Sequence, residues 1–260
     1  MTQLAANLSM LFNEHDFLDR FEAAAKAGFK GVEYLFPYAF EAEVLAEKLK
    51  QNDLTQVLFN LPAGDWDAGD RGIACDPARQ EEFRAGVDQA IAYAEILGNK
   101  LINCLAGIPP EGVNAAAAEA TFIDNLKYAA TKLKEADIKL VIEAINTIDI
   151  PGFFLTNTQQ ALDIRNKAGS DNLYLQYDIY HMQIMEGDLA RTMEKHLDAI
   201  GHIQLADNPG RHEPGTGEIN YYFLLKHLNL IGYQGWIGCE YKPANHTVPG
   251  LSWLHTHDVH

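Results

Sequence analysis

Acidic and amide side chains end four short apolar runs in the second half of the sequence. Each directly follows an apolar residue: Glu143, Asp178, Gln204 and Glu240. A carboxylate buried in an apolar strand costs free energy unless a cation pairs with it. The cores of these runs contain no lysine or arginine apart from Lys242, two positions past Glu240. The pattern therefore favours a divalent metal ion held by four oxygen ligands over pairing of each acid with a basic side chain.

The chemistry of this ligand set points to a hard cation. Three carboxylates and an amide offer only oxygen, which suits Mg²⁺ or Mn²⁺. Zinc prefers His or Cys among its ligands, and the three cysteines show no C-x-x-C spacing. We therefore expect one divalent ion, Mg²⁺ or Mn²⁺. Polar residues also end apolar runs in the first half of the chain: Asn7, Glu33, Asn60 and Asn103.

Eight apolar runs are predicted as the strands that position these residues. They cover 4–9, 31–36, 55–61, 100–106, 139–146, 173–181, 202–207 and 236–242. Between them lie segments with the three- and four-residue apolar spacing of amphipathic helices: 16–27, 41–51, 79–97, 115–136, 158–168, 188–199 and 221–230. Strands that are apolar at nearly every position are typical of parallel strands buried on both faces.

This alternation, over a chain of 260 residues, predicts a closed (β/α)₈ TIM barrel. Barrel enzymes place their chemistry at the carboxyl ends of the strands, where the four ligands would converge. A doubly wound open sheet is the alternative, but no G-x-G-x-x-G sequence opens a helix after the first strand. We expect a single domain, 1–260, in which the long connection 62–78 forms a lid over the strand ends and the last helix is short.

Composition narrows the range of partners. The chain has 20 Lys and Arg residues against 36 Asp and Glu residues, for a formal net charge of −16. Because nucleic-acid binding depends on Lys and Arg that neutralise phosphates, we expect neither nucleic acid nor an anionic membrane as a partner. The N-terminus lacks the basic residue of a secretory signal, and no apolar run of about 18 residues occurs, so a cytoplasmic protein is predicted. Homo-oligomerisation is left open.

Five longer stretches resemble those of hydroxypyruvate isomerases and the closely related 2-oxo-tetronate isomerases. They are NLSMLF at 7–12, NLPAGDW at 60–66, RGIAC at 71–75, YDIYHMQ at 177–183 and EPGTGEIN at 213–220. The resemblance extends over essentially the whole chain. It implies a xylose-isomerase-like barrel and a reversible isomerisation of hydroxypyruvate to tartronate semialdehyde (2-hydroxy-3-oxopropanoate), or of a four-carbon homologue.

The resemblance also implies roles for particular residues. Glu143 and Glu240 would be the acid/base pair, and both would bind the metal ion together with Asp178 and Gln204. An isomerisation of this type removes a proton from one carbon and returns a proton to its neighbour through an enediolate, which two carboxylates flanking the substrate can do.

A small anionic hydroxy-oxo acid beside three acidic ligands requires additional positive charge. The candidates for binding this substrate are His181, Arg211, Arg71 and Lys242. Arg71 lies in the predicted lid, whereas Arg211 and Lys242 follow the seventh and eighth strands.

Three other functions are compatible with the same barrel. A sugar 3-epimerase needs no cations for a substrate carboxylate, and usually has His where Gln204 stands. A metal-dependent endonuclease of the abasic-site type requires several zinc-binding His residues and a basic face, contrary to the net charge of −16. A non-catalytic binding barrel would not need two opposed carboxylates at Glu143 and Glu240.

Overall fold

Eight parallel strands close into a barrel in chain order. In the computed structural model of the protein, which describes residues 3–256, the strands are β1 Gln3–Asn7, β2 Gly31–Glu33, β3 Thr55–Asn60, β4 Leu101–Cys104, β5 Lys139–Glu143, β6 Leu173–Asp178, β7 Ile200–Leu205 and β8 Trp236–Cys239. The barrel closes where Ala5 of β1 pairs with Gly238 of β8. The predicted single-domain (β/α)₈ barrel is confirmed, and the open sheet is excluded.

Helices follow the strands around the barrel. They are α1 Arg20–Lys26, α2 Ala42–Gln51, α3 Gln80–Leu97, α4 Ala115–Glu135, α5 Thr158–Ala168, α6 Ile179–Met185, α7 Leu189–Lys195, α8 Tyr221–Ile231, α9 Thr247–Gly250 and α10 Trp253–Thr256. The last two have four residues each, which confirms the predicted short C-terminal helix. Among residues 3–256, no helix is both long and apolar enough to cross a membrane.

The sixth strand is shorter than predicted. The apolar run 173–181 was expected to be one strand, but β6 ends at Asp178 and α6 begins at Ile179. The Asp178 carboxylate accepts the backbone N–H groups of Tyr180 and His181, and so caps the new helix. Periodicity does not separate a buried strand from the buried helix that follows it. As a result, His181 lies in the first turn of a helix beside the strand end.

The predicted lid, 62–78, packs against the segment that follows β4. Gly72 has a φ of +114°, and a Cβ atom there would lie 2.4 Å from the carbonyl oxygen of Leu105. The backbone N–H of Cys75 donates to the carbonyl oxygen of Ala106 at 2.9 Å. Only a glycine allows this close approach, so the segment is tied to the rim of the barrel at this point.

Candidate active site

Four of the predicted site residues meet at the carboxyl-terminal end of the barrel. Glu143 ends β5, Asp178 ends β6, Gln204 precedes the last residue of β7, and Glu240 follows β8 directly. Asp178 and Gln204 are partners across neighbouring strands. All four side chains are buried. Alternate side chains of each strand face the barrel interior, and these four residues occupy such inward-facing positions.

The acidic residues form a cluster that could bind a metal ion. Ligand atoms of Glu143, Asp178, His181 and Glu240 lie within 4.8 Å of one another. Asp178 Oδ2 is buried and has no hydrogen-bond partner among the described residues. The nearest basic groups, His181 Nε2 at 3.6 Å and Arg211 Nη2 at 4.0 Å, are beyond hydrogen-bond distance of this oxygen. A buried carboxylate oxygen that accepts no hydrogen bond within a group of acids fits a cation. The donor set of this cluster therefore suits a divalent metal.

Burial and mutual repulsion perturb all three carboxyl groups. Burial raises the pKa of Glu143 well above its usual range, and the nearby Glu240 and Asp178 raise it further. Burial raises the pKa of Glu240 to about 8, although Arg211 opposes the shift. The pKa of Asp178 is raised to about 6, again mainly by burial. In the absence of a bound metal ion, Glu143 and Glu240 therefore hold their protons to a higher pH than ordinary glutamates do.

Arg211 is the cation that the structure brings to these acids. Its Nη2 donates to Glu240 Oε2 at 2.6 Å, and its Nη1 lies 3.4 Å from Asp149 Oδ2. The guanidinium also lies over the Tyr180 ring, 5.1 Å from the ring centre. Burial lowers the pKa of Arg211, but Glu240 and the other acids more than offset this and raise it. Arg211 therefore remains charged at the rim of the barrel.

The loop that carries Arg211 is organised by a buried carboxylate. Asp207 follows β7, and its oxygens accept four backbone N–H groups at 2.9 to 3.0 Å, from Asn208, Gly215, Gly217 and Ile219. The EPGTGEIN stretch is thus the part of the chain that closes around Asp207. Arg211, with a φ of +54°, lies at the bend of this loop.

His181 faces the carboxylates as a neutral ring. Asn146 accepts the backbone N–H groups of Ile148 and Asp149 through Oδ1, so its Nδ2 donates to His181 Nδ1 at 2.6 Å. The ring hydrogen is therefore on Nε2, which lies 3.7 Å from Glu143 and 3.6 Å from Asp178. Burial, followed by the charge of Arg211, holds the pKa of His181 well below its usual value. The side chain is placed to donate a hydrogen bond.

The other two predicted substrate cations lie elsewhere. Arg71 donates to the carbonyl oxygens of Trp66 and Asp70, at 3.0 and 2.7 Å, and its guanidinium lies 4.3 Å from the centre of the Trp66 ring. The side chain of Lys242 is exposed. Within residues 3–256, neither side chain forms a hydrogen bond or ion pair with the acidic cluster. Their predicted role in substrate binding stays a prediction.

An amide residue that the sequence analysis overlooked connects the ligands. Gln176 Nε2 donates to Glu143 Oε2 at 2.9 Å and to Gln204 Oε1 at 2.6 Å. Its position two residues before Asp178, on the same face of β6, is the signal that could have identified it. On the other side, Asn103 Nδ2 lies 3.2 Å from Glu143 Oε2. The proposed proton-transfer residue Glu143 is therefore held by two amide donors.

The fold and this site define a barrel enzyme with a buried acidic centre, and comparison with known proteins is consistent with that class. Residues 21–257 match the family described as xylose isomerase-like TIM barrel. The chain therefore belongs to the xylose isomerase-like TIM barrel family.

Individual relatives identify the type of enzyme. Hydroxypyruvate isomerase of Escherichia coli (strain K12) is 57% identical over 254 residues, covering 98% of both chains. A 2-oxo-tetronate isomerase of Cupriavidus necator is 47% identical, also covering 98% of both chains. These relatives confirm the resemblance seen in the sequence, and the chain is an isomerase.

Solved structures agree with the fold. A crystal structure described as AP endonuclease, family 2, from Brucella melitensis has 48% identity and a TM-score of 0.96, covering 99% of both chains. A D-psicose 3-epimerase from Clostridium cellulolyticum H10 has 19% identity and a TM-score of 0.78, covering 95% of this chain and 88% of that one. The second likeness shows the shared barrel alone.

Proposed function

We propose that the enzyme interconverts hydroxypyruvate and tartronate semialdehyde by proton transfer between Glu143 and Glu240. The observation that carries this proposal is the geometry of the cluster. Two buried glutamates with raised pKa values share it, and an arginine lies 2.6 Å from one of them. The relative of 57% identity bears the name hydroxypyruvate isomerase, which supports this choice of substrate.

The reaction needs a base and an acid but no redox partner. One glutamate takes a proton from C3 of hydroxypyruvate, the electron pair of that C–H bond forms the C2–C3 double bond of an enediolate, and the π pair of the C2–O2 carbonyl moves onto O2. The other glutamate then delivers a proton to C2, where the C2–C3 π pair forms the new C–H bond. The hydroxyl proton of O3 moves to O2, and C3 and O3 become the aldehyde carbonyl. Carboxyl groups whose pKa lies near the working pH suit such a task, because they are stronger bases than ordinary carboxylates.

We further propose that Glu143, Asp178, Gln204 and Glu240 hold one divalent ion, Mg²⁺ or Mn²⁺. When bound, such an ion supplies positive charge for the oxygen anion that develops as carbon loses its proton. The buried, unpartnered oxygen of Asp178 supports this assignment. His181 Nε2–H, which faces the same cluster, would donate to a substrate oxygen.

Arg211 gives the site its preference for an acid. Three carboxylates and one bound divalent ion leave a net negative site, which would repel a substrate carboxylate. The guanidinium of Arg211 at the rim offers a second positive group, and its fork of donors matches a carboxylate. We therefore propose that Arg211 binds the carboxylate of the substrate.

Turnover by the metal-loaded protein tests the proposal. We expect isomerisation of three-carbon or four-carbon oxo acids at rates well above those for simple ketoses, complete loss after treatment with a chelator, and recovery with Mg²⁺ or Mn²⁺. Faster turnover of neutral ketoses would replace the proposal with a sugar epimerase. Full activity of demonstrably metal-free protein would reject the metal site.

A second candidate is a 2-oxo-tetronate isomerase. The Cupriavidus necator relative of that name, 47% identical, supports it. The reaction is the same on a chain one carbon longer, so rates for the two acids measured side by side distinguish the candidates. The name of the Brucella melitensis structure suggests a DNA-cleaving activity, but a net charge of −16 opposes binding to a phosphate backbone.

A further inference from the structure

A buried glutamate and a buried histidine lie within hydrogen-bond distance of each other in the barrel, directly beside the proposed ligands. Glu33, at the end of β2, and His202, in β7, are 0% and 1% exposed. His202 Nε2 lies 2.8 Å from Glu33 Oε2. The pair connects β2 with β7, which are separated by β8 and β1 in the closed barrel. Neither residue belongs to the proton-transfer pair or to the proposed ligands.

The other oxygen of Glu33 is linked to Glu240 by two amide groups. Asn7 Nδ2 lies 3.1 Å from both Glu33 Oε1 and Glu240 Oε1. Gln204 Nε2 lies 2.8 Å from Glu33 Oε1 and 3.3 Å from Glu240 Oε1. Each amide therefore bridges the two carboxylates through its NH₂ group.

The barrel is shaped to admit the Glu33 carboxylate. A Cβ atom on Gly238 would lie 2.2 Å from Glu33 Oε1, so the inward-facing position below Glu240 must lack a side chain. His202 contacts Glu33 from the amino-terminal end of the barrel. There it lines a cavity of about 660 Å³ that opens among the amino-terminal ends of the strands. The Glu33 carboxylate is therefore held in the barrel interior, between Gly238 and His202.

The chemistry of a carboxylate dictates how the neighbouring amides turn. An ionised carboxylate only accepts hydrogen bonds, so each amide beside Glu33 must present its NH₂ group to it. The oxygen of Gln204 must then face away from Glu33. Gln204 Oε1 accepts a hydrogen bond from Gln176 Nε2 at 2.6 Å, and the same Gln176 nitrogen donates to Glu143 Oε2 at 2.9 Å. The Gln204 oxygen therefore lies on the Glu143 side of the cluster.

We infer that Glu33 is a positioning residue that, held by His202, fixes the amide of Gln204 with its oxygen available to the metal ion. This inference rests on the metal site proposed above. Groups that orient a ligand from outside the coordination sphere typically change metal affinity by about 10- to 100-fold when they are removed. Without Glu33, the Gln204 amide could turn its NH₂ group toward the metal ion, and an NH₂ group only donates hydrogen bonds and does not coordinate a metal.

Titration of metal-free protein with Mn²⁺ by isothermal calorimetry tests the inference. Glu33→Gln keeps the size of the side chain but can donate as well as accept. We expect it to weaken Mn²⁺ binding by about 10- to 100-fold. Glu186→Gln is the matched control, because Glu186 binds the start of α5 at Thr158 and should leave the affinity unchanged.

Loss of a negative charge alone would also weaken Mn²⁺ binding, and a double-mutant cycle separates the two causes. If Glu33 acts through Gln204, Glu33→Gln should change the affinity of Gln204→Ala protein by less than about 3-fold. An equal loss in both backgrounds would assign the effect to charge and overturn the inference. Glu33→Asp keeps the charge but shortens the reach, so positioning predicts a loss there too.

The outcomes also separate this inference from the function on which it rests. Thermal unfolding monitored by circular dichroism identifies variants that are not folded, and Glu33→Asp carries the test if Glu33→Gln is among them. If the native protein binds Mn²⁺ and both folded Glu33 variants bind it with the same affinity, the positioning role alone is overturned. No Mn²⁺ binding by the native protein overturns the metal site and the positioning role together.

Discussion

The two halves of the barrel rim carry different chemistry. The strands β1 and β3 end in the amides Asn7 and Asn60, and Asn103 precedes the last residue of β4, whereas β5, β6 and β8 lead into the carboxylates Glu143, Asp178 and Glu240. Amides both donate and accept, so they can hydrogen-bond to one another, as where Asn103 Nδ2 donates to Asn60 Oδ1 at 3.1 Å. Carboxylates cannot do this without protons or a cation.

This difference explains why the perturbed groups lie on one side. Glu33, the acid that ends β2 on the amide half, lies within hydrogen-bond distance of a histidine and receives two amide donors. The acids of the other half share one arginine, and burial raises the pKa of all three. In the proposed mechanism, the amide half therefore orients the side chains of the site, while the acidic half transfers the protons and binds the metal ion.

The largest expected effect on turnover comes from replacing a glutamate of the acidic half with glutamine. Glu143→Gln and Glu240→Gln retain a coordinating oxygen but cannot accept a proton from carbon. We expect each variant to bind Mn²⁺ detectably and to lose turnover by roughly 10²- to 10⁴-fold. Exchange of the substrate hydrogen with deuterated solvent, followed by NMR, should fail most in the variant that lacks the first base.

Glu186→Gln again serves as the control for a general effect of removing a carboxylate. Near-native turnover and exchange in both metal-loaded variants would leave Glu143 and Glu240 as ligands only. The search for a base would then move to His181, whose Nε2 lies 3.7 Å from Glu143.

A smaller effect is expected from removing the cation that the acidic half shares. Arg211→Ala should raise KM for an oxo acid by about 10- to 100-fold, the equivalent of the 1.5–3 kcal/mol of a charge-assisted hydrogen bond. Steady-state kinetics on the oxo acid and on a neutral ketose provide the comparison. An equal loss on both would show that Arg211 acts through Glu240, which it contacts at 2.6 Å, rather than on the substrate.

The raised pKa values predict how metal binding depends on pH. Asp178 and Glu240, with pKa values of about 6 and about 8, hold protons below those values, and a metal ion must displace them. Mn²⁺ affinity should therefore rise from pH 6 to pH 8, by roughly tenfold per pH unit for each proton displaced. Calorimetry in two buffers of different ionisation enthalpy measures the protons released.

The same shifts give the sign of the stability change. A carboxyl group whose folded pKa is raised favours the folded state below its unfolded pKa, and this contribution is lost as pH rises through the folded pKa. The Tm of metal-free protein should thus fall between about pH 4 and about pH 8, from the unfolded pKa values of these groups to the folded ones, and less so in Asp178→Asn protein. A metal affinity that does not change from pH 6 to pH 8 would contradict both expectations.

The strands and the acids that end them were predictable because their signals are local. An apolar run of parallel type followed by Glu143 or Glu240 is visible in the sequence. The capping role of Asp178 was not, because it depends on backbone N–H groups that become available only when α6 forms. For this reason the predicted strand 173–181 extends past Asp178, where β6 ends.

Contacts between distant parts of the chain were beyond sequence reasoning. His202 and Glu33 are 169 positions apart and meet only because the barrel closes with a particular register. Arg211 reaches Glu240 because Asp207 folds the intervening loop around its own carboxylate. Neither partner is indicated by spacing or by local composition.

The smallest effects are expected at the two predicted cations whose side chains form no hydrogen bond or ion pair with the acidic cluster among the described residues. Lys242 is exposed, and exposed charges contribute little, so Lys242→Ala should change KM for the oxo acid by less than about 2-fold. Arg71→Ala removes two hydrogen bonds to loop carbonyl oxygens and the contact with Trp66, and should raise KM by about 3-fold through a looser 62–78 segment.

These values decide whether the 62–78 segment closes over the substrate. If Arg71 acts only within its own loop, Arg71→Ala should impair an oxo acid and a neutral ketose to the same small degree. A loss of tenfold or more confined to the oxo acid would place the guanidinium on the substrate carboxylate, which requires it to leave the carbonyl oxygens of Trp66 and Asp70. The segment would then be a lid that moves, and the charge that recognises the substrate would come from both halves of the rim.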